Sequence, residues 1–171
     1  MEGANSKISY YPTWVVKEIT SDEMDEPLEV AAAREVHAMV RAKTGYPYIP
    51  RFYSLEGTKI RMERIFGITL GDYIQKFPSR EIYLAIAQMA RRAARGIVDA
   101  GVHQRDLTPN NIIISDDGQF WVIDFGLADL LSPLDDREDA YRATLETFFD
   151  VFDDFLMANG LEEIILDIPI E

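Results

Sequence analysis

The sequence contains no cysteine, and no apolar run among its 171 residues approaches the length of a membrane span. Without cysteine, disulfides, thiolate metal ligands and thiol nucleophiles are excluded. The opening stretch MEGANSKISYY lacks the basic and then apolar pattern of a signal peptide. We therefore expect a protein of the cytoplasm with no membrane segment.

Basic residues are scarce in the last part of the chain. The formal net charge is −13, and the stretch from Asp135 to Glu171 holds twelve acidic residues but only two basic ones. The rest of the chain is nearly balanced, with 18 acidic and 15 basic residues. Direct nucleic-acid binding without a partner is disfavoured, because phosphate contacts need cationic patches. The acidic segment is either a solvated helix face or a docking surface for a basic protein.

The order of apolar patterns predicts an α+β chain. Strand patterns and one helix come first, and they are followed by helices and a single hairpin. The stretch ISYYPTWVVKEI predicts a strand with a bend at Pro12, and RFYSLEGTKIRMERI predicts two strands joined at Glu56–Gly57. Helices are predicted from Pro27 to about Ala42, at TLGDYIQKF, from Ser79 to Ala100, and from about Leu134 to Ala158.

The first predicted helix carries a charged residue within its apolar stripe. At 3.6 residues per turn Glu35 falls among Leu28, Ala31, Ala38 and Met39. A carboxylate that faces a core is costly unless a cation meets it, and Lys17 in the upstream apolar stretch WVVKEI is the best candidate. Periodicity leaves a second interpretation equally open, in which Glu35 lies at the margin of the stripe and reaches water.

Three polar residues are grouped in the stretch VHQRDLTPNNIIISDDGQFWVIDFGLAD. Asn111 precedes one strand of a hairpin that turns at Asp116–Gly118, and Asp124 follows the other strand. Because a hairpin brings its two ends together, Asn111 and Asp124 should be neighbours, with Asp106 close by. Two oxygen ligands side by side suit Mg²⁺, and Asp106 is left to orient a hydroxyl or a water.

The motifs RDLTPNN and IDFG resemble the catalytic loop and the metal-binding motif of protein kinases, and VVK resembles their third-strand lysine motif. This resemblance favours a Lys17–Glu35 pair. Thr108 stands where ordinary serine/threonine kinases have lysine, which is similar to the RIO kinases and to the small kinase of the KEOPS complex. The stretches EGANSKIS, RMERIFGITLGDYI, DFGLAD and EDAYRATLETF extend the likeness to the KEOPS branch over most of the chain.

The resemblance implies a role for each matching residue. Lys17 would hold the α- and β-phosphates of ATP, and Glu35 would position Lys17. Asp106 would be the catalytic base, and Asn111 and Asp124 would bind Mg²⁺.

The rest of the nucleotide site is implied in the same way. The backbone of Glu63 and Ile65, just after Met62, would contact the adenine as a hinge. A reduced covering loop would be formed by four residues, Gly3, Ala4, Asn5 and Ser6, with a single glycine among them.

The implied fold is a minimal two-lobed protein-kinase-like fold. Its reduced N-lobe, with the truncated glycine-rich loop, spans residues 1–65. Its short helical C-lobe spans residues 66–171 and lacks a long activation segment, since a helix is predicted within about ten residues of Gly126.

The function implied first is that of an atypical serine/threonine kinase or ATPase that uses ATP and Mg²⁺. It would act beside a protein partner, the KEOPS catalytic subunit or another basic protein, in threonylcarbamoyl-adenosine modification of tRNA. One alternative is a small-molecule phosphotransferase resembling the aminoglycoside kinases, whose acceptor pocket needs extra helices. Another is a nucleotide-binding pseudokinase or scaffold, which the thin covering loop favours and the five intact motif residues disfavour.

Overall fold

The N-terminal part of the protein is an antiparallel sheet of five strands. The computed structural model describes residues 2–3, 6–21 and 26–165. The strands are β1 (Glu2–Gly3), β2 (Ser6–Tyr10), β3 (Trp14–Ile19), β4 (Phe52–Glu56) and β5 (Lys59–Glu63). Their spatial order is β1-β2-β3-β5-β4, so that β3 lies in the centre of the sheet.

Turn residues set the limits of these strands. The turn after Glu56 separates β4 from β5, as the sequence predicted. The stretch predicted as one strand with a bend at Pro12 is instead two antiparallel strands, β2 and β3, because the chain reverses there and Tyr11 N–H donates to the Trp14 carbonyl. Gly57 has φ +58°, a left-handed conformation that glycine adopts without steric cost.

One helix packs against this sheet. The helix α1 (Leu28–Ala42) lies against β3, β4 and β5 and follows Pro27, whose fixed φ suits a helix start. Its buried face consists of four alanines, one methionine and Glu35. The small alanines allow the helix to lie close to the strands, which brings Glu35 within reach of the sheet.

The second part of the chain is mostly helical. It contains α2 (Leu70–Lys76), α3 (Arg80–Asp99) and α4 (Arg137–Ala158). The Ser79 hydroxyl accepts a hydrogen bond from Ile82 N–H and so caps α3 as predicted. The rings of Tyr83 on α3 and Phe152 on α4 stack with centroids 5.6 Å apart, and both residues are buried.

The helix α4 begins three residues later than predicted. Asp136 accepts hydrogen bonds from the N–H groups of Glu138 and Asp139 and is therefore the N-cap. Leu134, where the sequence predicted the start, lies in the preceding turn and is 96% exposed. Because Leu134 is apolar, the apolar pattern alone places the start of α4 too early, although the Leu134 side chain is exposed.

Five short strands complete the fold between these helices. β6 (Gly67–Thr69), β8 (Ile112–Ser115) and β9 (Phe120–Val122) form a sheet in the order β6-β8-β9. β7 (Val102–His103) pairs with β10 (Asp129–Leu130). The architecture is thus α+β, and residues 64–66 connect the five-stranded sheet to the helical part. A lobe boundary at residue 65 stays a prediction.

Two loops leave these short strands on the side of the five-stranded sheet. We name residues 104–111, between β7 and β8, the Asp106 loop, and residues 123–128, between β9 and β10, the Asp124 loop. Over the part of the chain that the structure describes, no helix combines the length and the apolar composition needed to cross a bilayer.

Candidate active site

Lys17 lies between two carboxylates that come from distant parts of the chain. Its Nζ is 2.8 Å from Glu35 Oε1 and 2.7 Å from Asp124 Oδ1. Lys17 and Glu35 are both buried, with relative exposures of 5% and 2%. Periodicity left it open whether Glu35 pairs with Lys17 or reaches water. In the structure Glu35 pairs with Lys17, because α1 turns this residue toward β3.

Burial and the neighbouring charges shift the pKa values of Lys17 and Glu35. Burial by itself lowers the pKa of Lys17, but the adjacent Glu35 and Asp124 carboxylates outweigh burial, so that the pKa is raised from its ordinary value. Burial raises the pKa of Glu35, and Lys17 opposes this effect while Asp124 adds to it. One ammonium group is thus shared by two carboxylates, and the site carries an excess of negative charge.

The Asp124 loop is held close to this triad by backbone contacts. Phe125 N–H donates to Glu35 Oε1 over 3.5 Å, and Gly126 N–H donates to Asp124 Oδ1 over 3.0 Å. A Cβ atom on Gly126 would lie 3.2 Å from Asp124 Oδ1, closer than ordinary van der Waals contact. Glycine at this position therefore lets the loop fold back on its own carboxylate.

In the Asp106 loop, Asn111 fixes the position of Asp106. Asn111 Nδ2 donates to Asp106 Oδ2 over 2.6 Å and to the Asp106 carbonyl over 3.1 Å. The Asn111 carbonyl in turn accepts from Ile123 N–H, 2.9 Å away, at the start of the Asp124 loop. The hairpin therefore brings the two loops together in the way that its sequence predicted.

A buried glutamine links the two loops directly. Gln104 Nε2 donates to the Asp124 carbonyl over 2.8 Å, and Gln104 Oε1 accepts from Asp106 N–H over 2.7 Å. The residue is fully buried, so that both halves of its amide are satisfied inside the protein. The neighbouring His103 is half-buried in β7, and burial lowers its pKa.

Two residues of these loops have strained backbones. Arg105 and Asp124 have φ values of 63° and 64°, in the left-handed region that residues other than glycine rarely occupy. Such residues persist where surrounding contacts determine the conformation, and they are concentrated at functional sites. Arg105 immediately precedes Asp106, and Asp124 is itself one of the acidic residues that the sequence predicted at the centre of the site.

A cleft of about 130 Å³ opens above Lys17 and Asp124. Its walls are mostly aliphatic, and it is lined by Ile8, Val15, Met62, Ile65, Ile113 and Ile123, among others. Glu63 also lines the cleft, but its N–H donates to Arg51 O. Within residues 2–3, 6–21 and 26–165, no group accepts a hydrogen bond from the N–H of Ile65, the second residue of the predicted hinge.

The two outer residues of the predicted covering loop lie in strands. Gly3 and Ser6 are paired with each other in β1 and β2, and Ser6 also pairs with Ile19. Ser6 is not among the residues that line the cleft. Ala4 and Asn5 lie outside the described residues.

Comparison with known proteins gives the family of this chain. The family model of the protein kinase domain matches residues 6–147. The chain belongs to the protein kinase domain family. It is also 32% identical over 111 residues to CBL-interacting protein kinase 4 of Oryza sativa subsp. japonica, an alignment that covers 60% of this chain and 24% of that protein. The chain thus spans about a quarter of the length of this relative.

Membership of this family indicates which ligands the cleft would bind. A protein kinase domain implies a phosphotransferase that uses ATP and usually Mg²⁺. The residues of the site fit a hard cation, because the Asp124 side chain is 39% exposed and Asn111 donates its amide nitrogen to Asp106, which would leave the Asn111 amide oxygen for a cation. Among the described residues no three His, Asp or Glu side chains form a metal cluster, so that phosphate and water oxygens would complete the coordination.

Two residues of the candidate site were not predicted from the sequence. Gln104 carries no pattern of its own, although its position two residues before Asp106 placed it beside the site. Arg34 precedes Glu35 on α1 and donates to Gly126 O in the Asp124 loop. No periodic signal distinguishes Arg34 from an ordinary solvent-exposed arginine, because its partner lies 92 positions away.

Proposed function

We propose that this kinase-family chain is an atypical serine/threonine kinase or ATPase of the type of the small KEOPS kinase. It transfers the γ-phosphoryl group of ATP to a hydroxyl or to water. The observation that carries the proposal is the contact of Lys17 with both Glu35 and Asp124 at the cleft. Asp106 and Asn111 contact each other, and Gln104 joins Asp106 to the Asp124 carbonyl. This arrangement of charged groups supports catalysis over a purely structural role for the cleft.

The chemistry assigns a separate task to each group. Lys17, held by Glu35, binds the α- and β-phosphates, and the aliphatic walls of the cleft enclose the adenine. Asp106 accepts the proton of the attacking hydroxyl or water as the new oxygen–phosphorus bond forms and the bond to the ADP oxygen breaks. Asn111 and Asp124 would hold Mg²⁺, and the bound ion would neutralise part of the phosphate charge.

The short segment after the Asp124 loop bears on the choice of acceptor. Only residues 127–136 lie between Gly126 and the start of α4, and they contain the two-residue strand β10. So short a segment offers little surface on which a peptide could dock in an extended conformation. This supports ATP hydrolysis or phosphorylation within a complex, as in the KEOPS assembly that modifies tRNA, over phosphorylation of free peptides.

A basic protein partner is part of the proposal. Three acidic side chains, Glu146, Asp150 and Asp154, are exposed at four-residue intervals along α4 and so form one stripe. Like charges at this spacing repel one another by a few tenths of a kcal/mol per pair, and a cationic surface would relieve the repulsion. Asp153 does not belong to the stripe, because its carboxylate accepts a hydrogen bond from the Tyr83 hydroxyl over 2.8 Å.

The proposal is tested with γ-labelled ATP and the purified protein, alone and with the KEOPS catalytic subunit. We expect Mg²⁺-dependent release of labelled phosphate or labelling of protein, and loss of both in Lys17→Met. Calorimetry provides the second readout, since ATP should bind far more tightly with Mg²⁺ than without it. Tight binding without any turnover, in all combinations, would favour the pseudokinase.

The docking stripe is tested in the same assay. Changing Glu146 to Gln and Asp150 and Asp154 to Asn should reduce stimulation by the catalytic subunit and leave basal turnover unchanged. Undiminished stimulation would mean that the stripe is simply a solvated helix face.

A further inference from the structure

Arg34 connects α1 to the Asp124 loop next to the contact made by Glu35. Its NH2 donates to the Gly126 carbonyl over 3.2 Å, and its NH1 lies 2.9 Å from Glu26 Oε2. The Arg34 side chain is only 17% exposed. The guanidinium group is therefore held in one place by a carboxylate before α1 and by the backbone of the loop.

Two consecutive residues of α1 thus contact two consecutive residues of the Asp124 loop. Glu35 accepts from Phe125 N–H, and Arg34 donates to Gly126 O. Gly126 in turn donates its own N–H to Asp124 Oδ1. The contacts run without a break from Arg34 through Gly126 to the Asp124 carboxylate.

The backbone of Asp124 needs such support. A non-glycine residue in the left-handed region costs on the order of 1–3 kcal/mol, and Asp124 has φ 64°. A charged donor on the loop carbonyl is a strong restraint, because hydrogen bonds to charged groups are worth more than neutral ones. Arg34 is well placed to provide it from a helix, which is more rigid than the loop.

We propose that Arg34 is a positioning residue, which holds the Asp124 loop in the conformation that binds metal and nucleotide together. The inference rests on the proposed function, and it adds a residue that contacts neither the cleft nor the phosphates. Its effect should be specific to Mg²⁺, because Arg34 acts through Asp124 and not through the adenine or Lys17.

The main variant is Arg34→Gln, which is too short to reach both Glu26 and Gly126. We expect the affinity for ATP in the presence of Mg²⁺ to fall roughly tenfold, the equivalent of about 1.4 kcal/mol, and the affinity without Mg²⁺ to change less than about twofold. The Mg²⁺ concentration for half-maximal nucleotide binding should rise accordingly. A merely structural role would lower the melting temperature without altering this concentration.

A readout without any ligand follows the loop itself. Hydrogen–deuterium exchange of a peptide that covers residues 124–128 should be faster in Arg34→Gln than in the wild-type protein. Arg41→Gln is the matched control, because Arg41 lies on the same helix and also donates to a backbone carbonyl, that of Ala100 at 2.7 Å. The control should leave loop exchange and Mg²⁺ dependence unchanged.

A double-mutant cycle tests whether the effect passes through Asp124. In an Asp124→Ala background, Arg34→Gln should change nucleotide affinity less than about twofold, since the ligand that it positions is already removed. Should Arg34→Gln fail to fold, Arg34→Lys and Glu26→Gln provide milder changes at the same contacts, with the same expected direction.

The outcomes separate this inference from the proposed function. Wild-type protein that binds ATP with Mg²⁺, together with Arg34 and Glu26 variants of unchanged Mg²⁺ dependence and loop exchange, would overturn the positioning role alone. Equal effects of Arg34→Gln and Arg41→Gln would overturn it too. A wild-type protein without any Mg²⁺-dependent binding would overturn both proposals.

Discussion

Lys17 and Asp124 are 107 residues apart in the sequence, and Lys17 Nζ lies 2.7 Å from Asp124 Oδ1. The contact joins the central strand of the five-stranded sheet to the loop that follows β9. It closes the cleft at its base and places one buried cation between Asp124 and Glu35. The cleft, the charge of its floor and the positions of both loops depend on this contact.

Removal of the buried cation should destabilise the protein strongly. Lys17→Met leaves the Glu35 carboxylate buried without its partner, a situation that typically costs about 3–5 kcal/mol. Changing both residues, in Lys17→Met with Glu35→Leu, should recover most of this loss. The Asp124 carboxylate then also lacks Lys17, but its side chain is 39% exposed and it keeps the hydrogen bond from Gly126 N–H. Urea unfolding of the three proteins at pH 7 measures the difference.

The same variants make a prediction about pH. The pKa of Lys17 is raised, so its contribution is complete below 10.5 and is lost only as the pH rises through the raised value. In Lys17→Met the pKa of Glu35, already raised by burial, should rise further, and the protonated carboxyl needs no cation. The stability gap between Lys17→Met and the wild-type protein should therefore narrow from pH 7 to pH 5. A constant gap would contradict the buried ion pair.

Asp124→Ala and Asp106→Ala should impair the protein in different ways. The first removes a proposed metal ligand, and nucleotide binding in the presence of Mg²⁺ should weaken. The second should leave binding largely intact and slow turnover, because orienting the attacking oxygen matters mainly in the transition state. Calorimetry and turnover assays on both variants make the comparison, and wild-type turnover in Asp106→Ala would refute its assignment as the base.

Gln104→Glu should impair both stability and turnover. The change removes the donor to the Asp124 carbonyl and buries a carboxylate beside it, where an unsatisfied group costs about 1–3 kcal/mol or more. Turnover should fall by about tenfold or more, since small displacements of catalytic groups have large effects. Gln75→Glu is the control, because the Gln75 side chain is exposed on α2 and, among the described residues, donates a hydrogen bond to Asn159 alone. Similar effects of the two changes would exclude a special role for Gln104.

Asp153→Asn should stabilise the folded protein at neutral pH. Burial raises the pKa of Asp153 above 3.8, and Asp150 and Asp154 add to the increase while the Tyr83 hydroxyl opposes it. An acid whose pKa is higher in the folded state makes folding less favourable once it is ionised. The asparagine can still accept from Tyr83 without carrying this charge.

The advantage of Asp153→Asn should therefore disappear on acidification. It should shrink as the pH falls through the raised pKa and be absent below 3.8, where the carboxyl group is protonated in both states. Thermal unfolding from pH 7 to pH 3 tests this, with the exposed neighbour change Asp154→Asn as the control. An advantage that persisted at pH 3 would point to packing instead of charge.

Much of the fold could be predicted because its signals are local. The hairpin that carries Asn111 and Asp124 was evident from the turn at Asp116–Gly118, and Gly118 has φ 77° there. The caps of α3 and the limits of β4 and β5 likewise depend on neighbouring residues. The start of α4 was misplaced, because a capping aspartate competes with apolar periodicity and the sequence alone does not rank the two.

The sequence by itself determined the α+β class, strands β4 and β5, the hairpin of β8 and β9, and the helices apart from the start of α4, since periodicity and turn residues act over a few positions. The tertiary structure decided which of these residues meet. Periodicity left Glu35 equally disposed toward water and Lys17, and only the packing of α1 against β3 placed it at 2.8 Å from the ammonium group. The bridge of Gln104 and the contact of Arg34 with Gly126, 92 positions away, depend on the approach of separate elements. Such contacts have no local signal, because the free energy that fixes them comes from burial shared by the whole core.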